Sequence, residues 1–216
     1  TLCRVAQERA AERRGKRPAP KVKPTRVFPE EVPIFFCVPT GEGMVRNGYD
    51  CTGCSRYWYE EVGRCAYEDR PEPDWEAKPN CPHCGAPGRA FTQAFDRIYK
   101  RFDTGEELPV DLPPGAIWAS EHPNEDHLGP DGRELWCMLP NGHQWNIDSR
   151  ASNCTMPEDN EHRCWVRSGK PEDGSLHVHK NGNTCKAGAG SIRAADYHGF
   201  LDHGALRLRR KKAPQG

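Results

Sequence analysis

Two Cys-x-x-Cys pairs, "DCTGCS" at 50–55 and "NCPHCG" at 80–85, constrain this chain more than any other feature. Such a pair on a tight turn aims both sulfurs at one point, because the backbone folds around that point. Two turns together supply the four soft ligands of a tetrahedral metal site. The pairs lie 26 residues apart, room for a hairpin or a three-stranded ribbon between them. Free thiols in two matched knuckles have no packing reason to be there. A redox pair would follow a strand and open a helix, and neither pair has that context.

Around the knuckles, "IFFCV", "RYWYEEV" and "RAFTQAF" read as short strands divided by Gly- and Pro-rich turns. Residues 34–102 thereby resemble the zinc-ribbon class. The resemblance implies a zinc ion held by Cys51, Cys54, Cys81 and Cys84, with Cys37 and Cys65 in the same stretch as alternative ligands of a variant site. A metal suits the composition. With 35% hydrophobic residues and a mean hydropathy of -0.90, the chain has thin material for one extended core, and a structural zinc site contributes an apparent ~10–16 kcal/mol to folding.

A linker, "DTGEELPVDLPPG" at 103–115, precedes further strand-like pieces: "AIWAS", "ELWCML", "HQWNID", "HRCWVR" and "SLHVH". The fold class expected is therefore mainly β with little helix: an N-terminal zinc ribbon at 34–102 and a small Cys/His-rich β domain at 116–204. The stretch "IRAADYHGFLDHGALRLRRKK" is expected to add a helical turn or two. If "HRCWVR" is a strand, His162 and Cys164 share a face, about 7 Å apart. Cys154, His162, Cys164 and Cys185 then form a candidate second zinc site. The competing reading makes Cys137, Cys154 and Cys164 small buried hydrophobes and the histidines surface residues. A third reading makes Cys185 a nucleophile, since it precedes "KAGAGS", whose N–H groups suit an oxyanion. His198 or His162 would be its base and Asp196 or Asp202 the orienting group. That loop lacks the P-loop spacing and its GK[ST] ending. Residues 112–206 loosely resemble uncharacterised Cys/His-rich proteins of phages and bacteria, which implies a phage or prophage origin and no particular activity.

Charge is segregated. Residues 1–26 hold nine Lys/Arg against Glu8 and Glu12, a net +7; residues 205–216 hold five Lys/Arg and no acid; with a total of zero, the body between carries -12. Residues 1–33 read as a short basic helix followed by a linker with five prolines, and 205–216 as a basic tail. Arg13, Arg14, Lys16, Arg17, Arg209, Arg210, Lys211 and Lys212 are the candidate phosphate contacts. Tyr57, Trp58 and Tyr59 suit either core packing around a ribbon or stacking on unpaired bases. The expected function is a zinc-stabilised, non-enzymatic binding protein of phage type whose basic ends contact nucleic acid. The alternatives are a virion structural or protein-interaction protein, with phage or host proteins as partners, and a thiol enzyme centred on Cys185. The opening residues lack an apolar signal core, and "VPIFFCV" is too short to cross a bilayer. With eleven cysteines, an odd number, a reducing setting is expected, in the cytoplasm or a virion, with no membrane partner.

Overall fold

The computed structural model describes residues 26–159, 162–179, 185, 187 and 190–209. Their regular structure is almost entirely strand: β1 (Glu31–Pro33), β2 (Phe35–Cys51), β3 (Tyr57–Ala66), β4 (Gly88–Arg101), β5 (Ala116–Ala119), β6 (Leu135–Met138), β7 (Gln144–Asn146), β8 (Val166–Ser168), β9 (His177–His179), β10 (Ile192–Ala194), β11 (Tyr197–Asp202) and β12 (Ala205–Leu208). A single 3-10 turn, Glu125–His127, is capped by Asn124, whose side chain accepts from the Asp126 N–H. The predominance of β structure agrees with the expectation. No helix among the described residues is long and apolar enough to cross a membrane.

The organising element is β2, 17 residues long. Its first residues, Phe35 and Phe36, pair in parallel with β5, and β5, β6 and β7 continue as an antiparallel meander. From Gly43 onward it is the central strand of an antiparallel ribbon, with β3 on one side and β4 on the other. One strand thus runs out of the core into the ribbon, and its pairing with β5 joins the two units expected on either side of residues 103–115. Residues 103–115, expected as a linker, are packed: the Leu108 N–H donates to the Tyr99 carbonyl at 2.8 Å, and Leu108 is buried beside Cys37 and Trp118.

Strand alternation separates two apolar layers. Ile34, Phe36, Ile117, Leu135 and Cys137 face one way, onto Leu176, Ile192, Tyr197, Leu201 and Leu206. Cys37, Ala116, Trp118 and Met138 face the other, with Phe35 and Trp136 against them. This is the period of two that places alternate side chains on opposite faces of a sheet. The larger layer is closed by a four-stranded sheet in the order β1-β12-β11-β10. Two expectations are corrected here. The stretch expected to make helical turns forms β10, β11 and β12, and residues 205–208, placed in the basic tail, are strand β12 with Ala205 and Leu206 buried. From Leu206 the sequence "LRLR" alternates apolar and basic residues, so Leu206 and Leu208 pack on the larger core while Arg207 stays outside, and tail-like charge conceals a strand.

Arg167 is the ionic centre of this body. Its guanidinium, almost wholly buried, donates to Asp148 Oδ1 at 2.6 Å, to the Arg133 carbonyl at 2.9 Å, and to Asp131. Burial pushes the Asp148 carboxyl above its ordinary range against the pull of Arg167. Burial also acts to raise Asp131, but Arg167 and Arg133 outweigh it and hold that group at about 2. The Asp131 contribution to stability is therefore complete above the ordinary aspartate range and is lost as pH falls toward about 2. Removing the guanidinium leaves the buried Asp148 carboxylate without its counter-charge, keeping the hydrogen bond from the Leu135 N–H. Arg167→Met is expected to destabilise the fold by ~3–5 kcal/mol in urea denaturation, and Arg167→Met with Asp148→Asn by distinctly less than the sum of the single changes.

Candidate metal centres

At the outer end of the ribbon, Cys51 closes β2, a tight turn carries Cys54, and the chain enters β3; Cys81 and Cys84 occupy the matching turn before β4. The two turns use the same construction. The residue after each second cysteine, Ser55 or Gly85, lies in the left-handed region at φ 56° or 74°, which bends the chain back around the sulfurs. The Gly53 and Cys54 N–H groups each donate to Cys51 Sγ at 3.2 Å, and the His83 N–H to Cys81 Sγ at 3.4 Å. The Thr52 N–H reaches the Pro87 carbonyl at 3.2 Å and ties one turn to the other.

The four sulfurs converge within 4.8 Å of one another, Cys51 to Cys84 at 3.4 Å and Cys54 to Cys81 at 3.8 Å. Sulfurs at the corners of a tetrahedron with 2.3 Å metal bonds stand about 3.8 Å apart, so the group can hold a metal ion. It is far too open for disulfides. Cys37 and Cys65, the alternative ligands, do not join the group. Cys37 is buried in the smaller apolar layer, where burial pushes its thiol up to about 11.

The second group, Cys154, His162, Cys164 and Cys185, also converges within 4.8 Å, and Cys185 and Cys164 Sγ lie 3.8 Å apart. The expected route to it is wrong in one respect: "HRCW" is not strand, and β8 begins only at Val166. An irregular loop does the positioning instead. Arg150 spans it, donating to the carbonyls of Met156 and Pro157 at 2.8 Å and of Asp159 at 2.5 Å. The Ala151 N–H donates to Cys164 Sγ and the Met156 N–H to Cys154 Sγ, both at 3.4 Å. Trp165 anchors the far side through its Nε1–H on the Ile147 carbonyl. Cys164 and Cys185 are buried, and His162 is 1% exposed with neither ring nitrogen hydrogen-bonded. A buried imidazole without a partner is costly unless a ligand takes a nitrogen.

Both groups carry the same electrostatic conflict. The Cys54 N–H, with that of Gly53, lowers the Cys51 thiol to about 6; Cys84 receives an N–H from Ala86, but the neighbouring thiols push it up to about 12. Burial acts to raise Cys185, yet His162 and backbone N–H groups bring it down to about 6, whereas burial and the adjacent thiols drive Cys164 to about 12. Crowded sulfurs cannot all ionise together unless a cation sits among them.

The thiol-enzyme constellation is not assembled as drawn. His162 is beside Cys185, but Asp202 lies with His177 and His203, and Asp196 accepts from the Asn141 side chain. Cys137, by contrast, is the buried hydrophobe of the competing reading, its thiol pushed far up by burial. Of the candidate phosphate contacts, Arg209 is described, with Nη1 3.4 Å from His198 Nε2; Arg13, Arg14, Lys16, Arg17, Arg210, Lys211 and Lys212 lie outside the described residues. Sequence reasoning missed Arg150, which no spacing rule marks, and a third group, His177, Asp202 and His203, whose last two members fell in a stretch expected to be helical. No family model, curated protein or solved structure matches the chain.

Elemental analysis of the purified protein is expected to give two tightly held metal equivalents. Cys81→Ser should lose one and His162→Ala the other, each variant keeping the metal of the untouched centre.

Proposed function

We propose that the chain is a zinc-stabilised, non-enzymatic nucleic-acid-binding protein whose two basic ends act together. Tetrathiolate and Cys3His donor sets are those that zinc takes in closed structural sites. With two knuckles at the end of a three-stranded antiparallel sheet, residues 34–102 are read as a zinc ribbon.

The observation that carries the nucleic-acid reading is a strand register. In the antiparallel pair of β1 and β12, Glu31 lies opposite Arg207, and the Leu208 N–H donates to the Glu30 carbonyl at 2.9 Å. The points where the +7 and +5 segments join the body are therefore neighbours. Glu31 and Arg207, more than 170 residues apart in sequence, lie side by side at one edge of the sheet. Arg193 of β10 is opposite His198 of β11, and the N–H of Arg209, just past β12, donates to the His198 carbonyl at 2.9 Å, so two arginines flank His198. Burial, followed by Arg209 and Arg193, depresses His198. A concentrated cationic edge of this kind neutralises phosphates and releases their counterions.

A second feature favours unpaired bases over duplex. The aromatic triplet of β3 divides: Trp58 packs on Tyr49 at 5.5 Å, whereas Tyr57 and Tyr59 turn outward, each 6.4 Å from its aromatic neighbour in the row Tyr57, Tyr59, Phe91. The Arg46 guanidinium stands 5.2 Å over Tyr59. Exposed rings with an arginine above them suit base stacking, worth ~1–3 kcal/mol per base.

Anisotropy titration with a labelled single-stranded oligonucleotide tests this reading. Between 50 and 200 mM salt the affinity is expected to fall on the order of a hundredfold or more. Deletion of residues 1–26 and 210–216 should abolish binding while both metals remain, and Tyr59→Ala should weaken it by about tenfold. Tail-deleted protein that binds as tightly as the full chain would refute the reading. A stoichiometric complex with an acidic protein, formed without nucleic acid, would favour a protein-interaction or virion structural role.

A further inference from the structure

From the convergence of His177, Asp202 and His203, we infer a third metal site, open to solvent and suited to an exchangeable first-row divalent transition metal. It is independent of the two cysteine centres and of the nucleic-acid reading. Two imidazoles and one carboxylate bring ligand atoms within 4.8 Å of one another. His177 Nδ1 and His203 Nδ1 lie 3.2 and 2.6 Å from the same atom, Asp202 Oδ1. Ligands that share an ion at bonds of about 2.1 Å stand roughly 3 to 3.4 Å apart, in the range of the two distances to Asp202 Oδ1.

The surroundings hold these groups in place. Asp202 and His203 form the tip of the β11–β12 hairpin, and His177 begins β9. His203 and Gly204 have φ 43° and 80°, the two positive values of a two-residue hairpin turn. Gly204 is also so close to the Gly174 carbonyl that a Cβ there would lie 1.9 Å from its oxygen, so the turn is wedged against the chain just before β9. The two ligand rings stack 4.3 Å apart at 24°, and His179 stacks on the outer side of His177 at 5.4 Å. Arg207 Nε, 3.3 Å from Asp202 Oδ2, engages the other carboxylate oxygen and leaves Oδ1 to the histidines. Such outer partners orient metal ligands.

The donor set differs in kind from the other two. Two nitrogens and one oxygen, with His203 76% exposed, leave coordination positions to water, the arrangement of exchangeable and reactive sites rather than closed structural ones. A metal there would lower the pKa of its bound water toward neutrality, as open sites do. The alternative is a hydrogen-bonded His-Asp-His cluster that holds no ion.

Cobalt(II) titration of the full chain with both cysteine centres filled with zinc decides between them. One further equivalent is expected, with the weak ligand-field absorption of nitrogen and oxygen ligands and without intense sulfur-to-metal charge transfer. His203→Gly preserves the left-handed turn, and Asp202→Asn preserves shape. Each should lose that equivalent while retaining two zincs by elemental analysis. Absence of the extra equivalent in the unaltered chain, or its persistence in both variants, would overturn the inference.

Discussion

The convergence of four sulfurs on one point, where they can hold a cation, is the constraint on which the ribbon tip is built. Both apolar layers of the body lie at the other end of β2. Around the knuckles burial is confined to a few residues, Val45, Tyr49, Cys51 and Cys81 among them, and the strands otherwise present half-covered side chains to water. Backbone pairing alone does not hold a slender antiparallel sheet together. What closes this one is a pair of turns whose sulfurs repel when they ionise without a cation, and attract one through the same charge when it is present.

Much of this was legible in the sequence, for a physical reason. A Cys-x-x-Cys knuckle is a local structure, so Cys51 with Cys54 and Cys81 with Cys84 are marked by short spacing, and the strands beside them by alternation. The second centre was legible by residue type but not by route. Its members reach one another through a loop fixed by Arg150 and three carbonyls, and contacts of this sort leave no period to read. The third group failed for another reason. The expectation of a helical turn or two in residues 192–212 hides the hairpin that carries Asp202 and His203 to His177.

The same error concealed the pairing of β1 with β12. Composition alone makes residues 205–208 a tail. Their pairing with β1 makes them the last covered strand of the larger core, with Arg207 bound to Glu31 at 2.5 Å on the outside. Long-range pairing overrides local charge wherever alternate positions are apolar enough to be buried.

The unbroken course of β2 has a mechanical consequence. At about 3.3 Å per residue, 17 residues span roughly 50 Å, and both neighbouring strands brace the outer part. A load on the knuckles is therefore passed along a single covalent strand into the layer that holds Phe36 and Ile117, and any give lies where its pairing with β4 shifts register, between Pro39 and Gly43 and between Gly48 and Tyr49. How far the ribbon tip stands from the body is set by the number of residues in that strand, as the length of a ruler is set by its divisions.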